Sequence, residues 1–222
     1  MSVQQNIISI RKHIPAHVQL VCVSKFHPDE VLLEAYYAGE RVFGESKVQA
    51  MCGKQQRLPK DIHWHFIGHL QTNKIKQIVP FVDLIHGVDS FKLLVEINKQ
   101  AEKQNRKVNC LLQVYIASEA TKFGFSPDEL KSLLATAEWQ ELKNINIAGL
   151  MGMATFTDDK NQIRSEFKSL KDLFDELKNT YFADNTSFKE ISMGMSDDYQ
   201  IAIEEGSTMV RVGSSIFGVR NY

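Results

Sequence analysis

The chain has 222 residues, 43% hydrophobic and 24% charged, with 26 basic against 27 acidic side chains and a net charge of −1. Such values belong to an ordinary soluble globular protein, and without a basic excess nucleic acid is not an expected partner. No apolar stretch approaches the roughly 20 residues of a membrane span, and the amino terminus, Met1-Ser2-Val3-Gln4-Gln5-Asn6-Ile7, lacks the basic start and apolar core of a signal peptide.

In chain order the pattern alternates. Residues 6–11 have helical character ahead of the first apolar run, 18–24. His27-Pro28-Asp29-Glu30 then starts a helix. Further β-rich runs follow at 41–44, 63–67, 82–86, 108–116, 145–151, 188–192 and 208–212, eight in all. Between them, Leu93, Leu94, Ile97 and Ala101 share a helix face. Ser126-Pro127-Asp128-Glu129 combines an N-cap serine, a proline at the first helical position and a glutamate three residues on. Ile163, Phe167, Leu170, Phe174 and Leu177 step by four and three along one more helix. No linker interrupts the series, so one domain over 1–222 is expected. Its predicted class is α/β, a single TIM-type (β/α)8 barrel with an extra amino-terminal helix. A doubly wound open sheet is the alternative. Only residues 214–222 follow the last strand, too few for a full eighth helix, and the amino-terminal helix is expected to cover that gap.

The three cysteines are odd in number and far apart, with neither a disulfide nor a zinc spacing. Cys22 and Cys110 fall in apolar runs and read as small buried hydrophobes. A reducing, cytoplasmic setting is expected.

In parallel α/β folds the ligand lies at the carboxyl ends of the strands. Those ends carry Lys25, Glu45, Gly68-His69, His86, Lys122, Met153, Gly194 to Ser196 and Arg211 to Ser215. Lys25 closes the first strand. It is either a lysine that reaches water along its stem or an amine whose desolvation keeps it neutral for imine chemistry. Ser192-Met193-Gly194-Met195-Ser196-Asp197-Asp198 and Gly206-Ser207-Thr208-Met209-Val210-Arg211-Val212-Gly213-Ser214-Ser215 are two small-residue turns. They can be plain tight turns, or a phosphate cup in which Ser196 opens a helix and Gly194 and Gly213 admit the oxygens. In the second case Asp197 and Asp198 must face away. An amine beside a phosphate cup suggests a phosphorylated aldehyde.

Arg211 lies between Val210 and Val212, so alternation turns it to the opposite face. Buried there it needs an acceptor, either a pyridine nitrogen or an internal carboxylate such as Glu45. His63 and His65 share one strand face. Two histidines at this spacing can bind metal, but without a third ligand hydrogen-bonded core histidines are the favoured reading. Lys122 is a mouth cation or a loop lysine. Met151, Met153, Met193 and Met195 are expected to fill the core or the mouth.

An ordered set of motifs runs from about residue 18 to the carboxyl end: Val23-Ser24-Lys25, Phe43-Gly44-Glu45, Trp64-His65-Phe66-Ile67-Gly68, Leu70-Gln71-Thr72-Asn73-Lys74, Val88-Asp89-Ser90, Lys122-x-Gly124, Gly149-Leu150-Met151, Met193-Gly194-Met195-Ser196-Asp197, Gly206 to Gly213 and Ile216-Phe217-Gly218. In these the chain resembles the pyridoxal phosphate homeostasis proteins. The resemblance implies a barrel similar to the amino-terminal domain of alanine racemase. It implies pyridoxal 5′-phosphate (PLP) bound as an internal aldimine on Lys25, with Arg211 near the pyridine nitrogen and the phosphate held at Met195-Ser196 and Gly213-Ser214. Family members are regarded as carriers or regulators of intracellular PLP without an established reaction. Apo-enzymes that use PLP are the implied acceptors, and a monomer is expected.

Four positions depart from the family pattern. Ser46 stands for asparagine, Lys47 for an aromatic, His69 for proline and Gly87 for serine. Two enzyme alternatives remain open on the residues, an amino-acid racemase, and a barrel aldolase that uses Lys25 directly on a sugar phosphate. A racemase needs a second base, usually from another domain or subunit, and the chain has no evident residues for such a domain. A module acting on protein partners is neither supported nor excluded.

Overall fold

The computed structural model describes residues 2–117 and 123–218. It begins with helix α1 (Val3–Arg11), capped by a reciprocal Ser2–Gln5 box. Eight parallel strands follow: β1 (Gln19–Val23), β2 (Val42–Glu45), β3 (His63–Phe66), β4 (Leu84–Val88), β5 (Val108–Gln113), β6 (Ile145–Met151), β7 (Glu190–Ser192) and β8 (Met209–Val212). Each pairs with its sequence neighbour, and β8 returns to β1 through registers such as Leu20 with Val210, so the sheet is a closed barrel. The connecting helices are α2 (Asp29–Tyr37), α3 (Val48–Arg57), α4 (Ile75–Ile78), α5 (Phe91–Lys103), α6 (Pro127–Ala135), α7 (Lys160–Thr180) and α8 (Tyr199–Glu204), with α9 (Ser214–Phe217) after the last strand. This is the TIM-type fold expected from the alternation.

The period of two along each strand sorts side chains into two cores. Leu20, Cys22, Phe43, Trp64, Ile85, Cys110, Leu112, Val210 and Val212 pack outward against the helices. Val21, Leu84, Leu111, Ala148, Met151 and Met209 form a smaller cluster inside the barrel. Capping fixes several helix starts. Ser126 accepts from Glu129 N–H while the Glu129 carboxylate accepts from Ser126 N–H, and Ser90 opens α5 in the same way without the return bond. At the closing edge, α1 lies against the short α9, where Asn6 Nδ2 donates to the Ile216 carbonyl at 2.9 Å. The amino-terminal helix thus packs at this edge beside the short α9, as expected.

Two strands differ from their sequence outlines in ways that matter. The fourth starts two residues later than 82–86 and runs on to Val88. Val82 N–H is taken by the Ile78 carbonyl at the end of α4, and the Asp83 carboxylate accepts from Trp64 N–H. His86 therefore lies mid-strand rather than at its end. The fifth stops at Gln113, after which Val114 N–H donates to the Met151 carbonyl and Val114 makes an isolated bridge to Phe125. Gly149, at φ +152°, sits where the β5–β6 register shifts, and a Cβ there would lie 1.8 Å from the Glu190 carbonyl oxygen. Only glycine permits that approach.

Candidate functional site

The carboxyl ends of β1, β7 and β8 surround a cavity of about 240 Å³. That is slightly below the roughly 300–1,000 Å³ typical of small-ligand pockets. Its wall contains Lys25, Met195, Ser196, Arg211, Gly213 and Ser214. All six residues singled out from the sequence thus meet in one space.

Lys25 follows Val21 and Val23 on the inward parity of β1 and is half-buried. The next residue, Phe26, has φ 71°. A bulky residue in the left-handed region is uncommon and costs backbone strain. The chain therefore turns sharply straight after the lysine. Behind it the strand end is clamped. Lys54 of α3 donates to the Ser24 carbonyl at 2.9 Å and to Glu45 Oε1 at 2.6 Å, and Ser24 Oγ donates to the same carboxylate oxygen at 2.7 Å. Glu45 is consequently not the internal acceptor of Arg211. It is turned outward, 1% exposed, and paired with a lysine on the helix layer.

Arg211 is buried inside the barrel. Nη1 donates to the Ser192 carbonyl at 2.8 Å and to Ser192 Oγ at 2.6 Å, and Nη2 donates to the Gly152 carbonyl at 3.1 Å. Nε has no protein acceptor among the described residues. Burial lowers the pKa to about 10, with the Asp198 charge opposing, so the guanidinium is charged at neutral pH. It sits among neutral oxygens and contacts no carboxylate among the described residues.

The turn after β7 differs in detail from its sequence reading. Helix α8 starts at Tyr199 with Asp198 at the cap position, so Ser196 does not open it. Asp198 faces inward and accepts from Met195 N–H at 2.5 Å. Burial raises its pKa, partly offset by that bond. The condition that both aspartates face solvent is thus not met by Asp198, whose carboxylate is taken up by the turn, and Asp197 is exposed to solvent while also lining the cavity. The two turns are stitched together, because Gly213 N–H donates to Ser196 Oγ at 3.2 Å. Gly194, at φ +94°, makes the first turn possible, and a Cβ there would lie 2.6 Å from that of Ala202.

The remaining candidates fall elsewhere. His86 is not at the mouth. It lies fully buried within the barrel, with Nε2 3.1 Å from His65 Nδ1 and Nδ1 2.9 Å from Ser192 Oγ. Burial, then His63, lowers His65 to about 3, and burial, then His65 and Arg211, holds His86 well below its usual range. His63 is exposed near Asp83. The described residues contain no metal-binding cluster. Met193 and Met151 are buried, while Met153 and Met195 stand at the mouth. Lys122 lies outside the described residues.

None of the four departures from the family pattern lines the cavity. Lys47 Nζ sits 5.3 Å from the Phe26 ring centroid. His69 Nδ1 is 2.9 Å from Asp89 and its ring lies 5.4 Å from that of Phe123. At Gly87 a Cβ would lie 2.7 Å from the Gly68 carbonyl, so the missing side chain lets β4 approach the loop that follows β3.

Sequence reasoning missed Lys54, the part of Ser192 as an acceptor for Arg211, and the His65–His86 contact. One signal was available for Lys54. It follows Val48 and Met51 at intervals of three, on the buried face of α3.

Comparison with known proteins agrees with this geometry. The family model of the alanine racemase N-terminal domain matches residues 1–221. A pyridoxal phosphate homeostasis protein of Aquifex aeolicus is 41% identical over 205 residues, 92% of this chain and 88% of that protein. One of Schizosaccharomyces pombe is 39% identical over 207 residues, covering 92% and 85%. The structure of PipY from Synechococcus elongatus without PLP superposes with a TM-score of 0.91 at 35% identity, over 98% of this chain and 100% of that one. The same protein with PLP bound gives 0.88 at 34%, over 98% and 100%. An alanine racemase of Clostridium difficile shares the fold, with a TM-score of 0.79 at 15% identity over 56% of its length. The chain belongs to the pyridoxal phosphate homeostasis protein family, built on the barrel of the alanine racemase N-terminal domain.

Proposed function

We propose that this chain binds pyridoxal 5′-phosphate at the barrel mouth and serves intracellular PLP homeostasis as a carrier. The observation that carries the reading is the meeting of a half-buried amine, Lys25, and a buried cation, Arg211, across one small cavity rimmed by two hydroxyl-bearing turns. PLP supplies an aldehyde that condenses reversibly with amines, releasing one water. Lys25 Nζ is the covalent attachment point. Arg211 faces the ring nitrogen. Its Nε–H suits an unprotonated pyridine nitrogen, and a permanent cation keeps that nitrogen unprotonated. Ser196 and Ser214 donate hydroxyls to the phosphate, and the main chain at Met195 and Gly213 approaches it. PipY, a relative of the same fold and 34% identity, has a structure with PLP bound, which supports the same ligand here.

In this reading the whole of 1–222 acts as one PLP-binding domain, as a cytoplasmic monomer, and passes its cargo to apo-enzymes rather than turning over a substrate. An unprotonated ring is a weak electron sink, which handicaps carbanion chemistry and leaves imine exchange intact; Arg211 alone does not separate a carrier from a racemase, and the turnover assay does. Borohydride reduction of the PLP-loaded protein followed by peptide mass mapping is the test. A phosphopyridoxyl group on the peptide containing Lys25, absent in Lys25→Ala, is the expected result. Undiminished PLP binding by Lys25→Ala overturns the attachment. Racemisation of alanine that is lost with Lys25 overturns the carrier role.

A further inference from the structure

The barrel interior holds a second feature that the mouth alone does not require. TIM-barrel interiors are normally filled by layers of branched apolar side chains. Here a file of polar groups crosses the middle instead, from Arg211 through Ser192 and His86 to His65, with separations of 2.6, 2.9 and 3.1 Å. Its far end reaches a different space. His65 lines a cavity of about 810 Å³ at the amino-terminal ends of the strands, together with His63, Asp83, Asn109 and Glu190. The file therefore joins the two ends of the barrel.

The hydrogen-bond chemistry allows one direction only. Arginine has five N–H donors and no acceptor, so Ser192 Oγ accepts from Arg211. The hydroxyl proton of Ser192 then needs an acceptor of its own, and His86 Nδ1 is the group within reach. With Nδ1 accepting, neutral His86 carries its proton on Nε2 and donates to His65 Nδ1. His65 in turn carries its proton on Nε2, which has no protein partner among the described residues and is left to the solvent of the lower cavity. The opposite order would leave the Ser192 proton without an acceptor, at the cost of a buried unsatisfied donor. A charged His86 would set an N–H against that proton and a second cation beside Arg211.

We propose that Ser192, His86 and His65 are positioning residues for the ligand at the mouth: a one-way hydrogen-bonded column that fixes the guanidinium of Arg211 and ends at solvent on the opposite side of the barrel. The proposal rests on the reading of Arg211 as the partner of the PLP ring. The column is neutral along its length, which agrees with the burial-lowered pKa values of both histidines. It holds Arg211 in place without a counter-charge that would compete with the ligand.

Two measurements test it, one independent of PLP. Nitrogen-15 NMR of the histidine side chains in the ligand-free protein, assigned with His65→Gln and His86→Gln, is expected to give neutral Nε2–H tautomers for both rings from pH 5 to 8. A proton on Nδ1 of either ring, or a charged ring in that range, overturns the column whatever the protein binds. The second measurement uses the PLP-loaded protein. His86→Leu removes the acceptor of Ser192, and the PLP dissociation constant is expected to rise about tenfold, the scale of one hydrogen bond to a charged group. The pH midpoint of the bound cofactor's absorption is expected to move by about half a unit or more. His86→Gln, whose amide can accept at one end and donate at the other, is expected to restore both. Ser192→Ala repeats the loss without touching either ring. Unchanged affinity and midpoint in His86→Leu and Ser192→Ala, both folded by thermal unfolding, overturn the positioning role. Failure of wild-type protein to bind PLP sinks the ligand reading instead, and leaves the NMR result to judge the column.

Discussion

Replacing Lys54 by methionine is the sharpest test of how the strand end behind Lys25 is held. Lys54 and Glu45 are 7% and 1% exposed in their side chains and 2.6 Å apart. Lys54→Met keeps the length of the stem and removes the cation, its bond to the Ser24 carbonyl and its pairing with Glu45. The Glu45 carboxylate is then buried with only Ser24 Oγ as a hydrogen-bond donor among the described residues. Breaking one side of a buried pair costs about 3–5 kcal/mol, most of it the stranded charge. With a urea m-value near 2–3 kcal/mol/M for a chain of this size, the unfolding midpoint should fall by roughly 1–2 M. Removing both charges, in Lys54→Met with Glu45→Leu, should return most of that loss, because a well-packed apolar pair often matches a buried ion pair. The assay is equilibrium urea unfolding of the ligand-free protein followed by circular dichroism. A midpoint lowered by less than about 0.3 M in the single variant would refute the buried-pair argument. So would a double variant no more stable than the single one.

Three further outcomes are expected. Because burial lowers His65 from 6.5 to about 3, its contribution is complete above pH 6.5 and is lost as pH falls toward 3. The unfolded chain binds the proton first, so stability should drop by about 2 kcal/mol between pH 7.5 and 5 from this residue alone. Urea midpoints at pH 7.5 and 5, with His65→Gln flattening the difference, check the sign, and equal wild-type midpoints contradict it. Arg211→Lys cannot satisfy three acceptors with a single nitrogen in the guanidinium geometry. PLP affinity should fall at least about tenfold and stability by about 1–3 kcal/mol, measured by titration and thermal unfolding; wild-type behaviour in both would rule the three-acceptor cradle out. Burial raises the thiol pKa of Cys22 well above its usual value and also raises that of Cys110, so a thiol reagent should modify at most Cys52 in the native protein and all three in urea. Native labelling of Cys22 or Cys110 would contradict their burial.

The sequence made the barrel legible because alternation needs only short-range signals. Strand-length apolar runs and capped amphipathic helices were enough to count eight units, and Lys25 and Arg211 followed from their strand-end positions. Position on a strand end does not determine direction, however. Glu45 and Lys25 both end strands, yet Glu45 points to α3 and Lys25 to the mouth, as the pairing parity of a closed barrel dictates. The strand-end expectation for His86 fails for a related reason. Its strand begins late because α4 takes Val82 for its last turn, and a shift of two residues moves a side chain from the rim to the middle of the barrel. The sequence points to Ser196 as a helix start because a serine before two aspartates has the right composition. Asp198 won that position by capping Met195 N–H from inside the turn. Partnerships between residues far apart in sequence, such as His86 with Ser192, carry no local signature at all.

The interior of this barrel also bears on why function and packing are not separable here. A guanidinium taken out of water among carbonyl and hydroxyl oxygens retains its charge, since a pKa near 10 is still far above neutrality, but it loses most of the solvation that would stabilise that charge. A structural arginine usually recovers the loss from a contacting carboxylate. Arg211 does not. Asp198 acts on it only through space, Glu45 is committed to Lys54, and the column below it is neutral. The residual cost is one that an electron-rich ligand at the mouth can offset. Binding energy is then available at the ring-nitrogen side of the cavity without any lid or closing motion. A substitution that supplied an internal carboxylate, Ser192→Asp for instance, would stabilise the empty protein and weaken PLP binding together. Urea unfolding of the ligand-free variant and PLP titration should move in opposite directions. Parallel movement would mean that Arg211 serves the barrel and not the ligand.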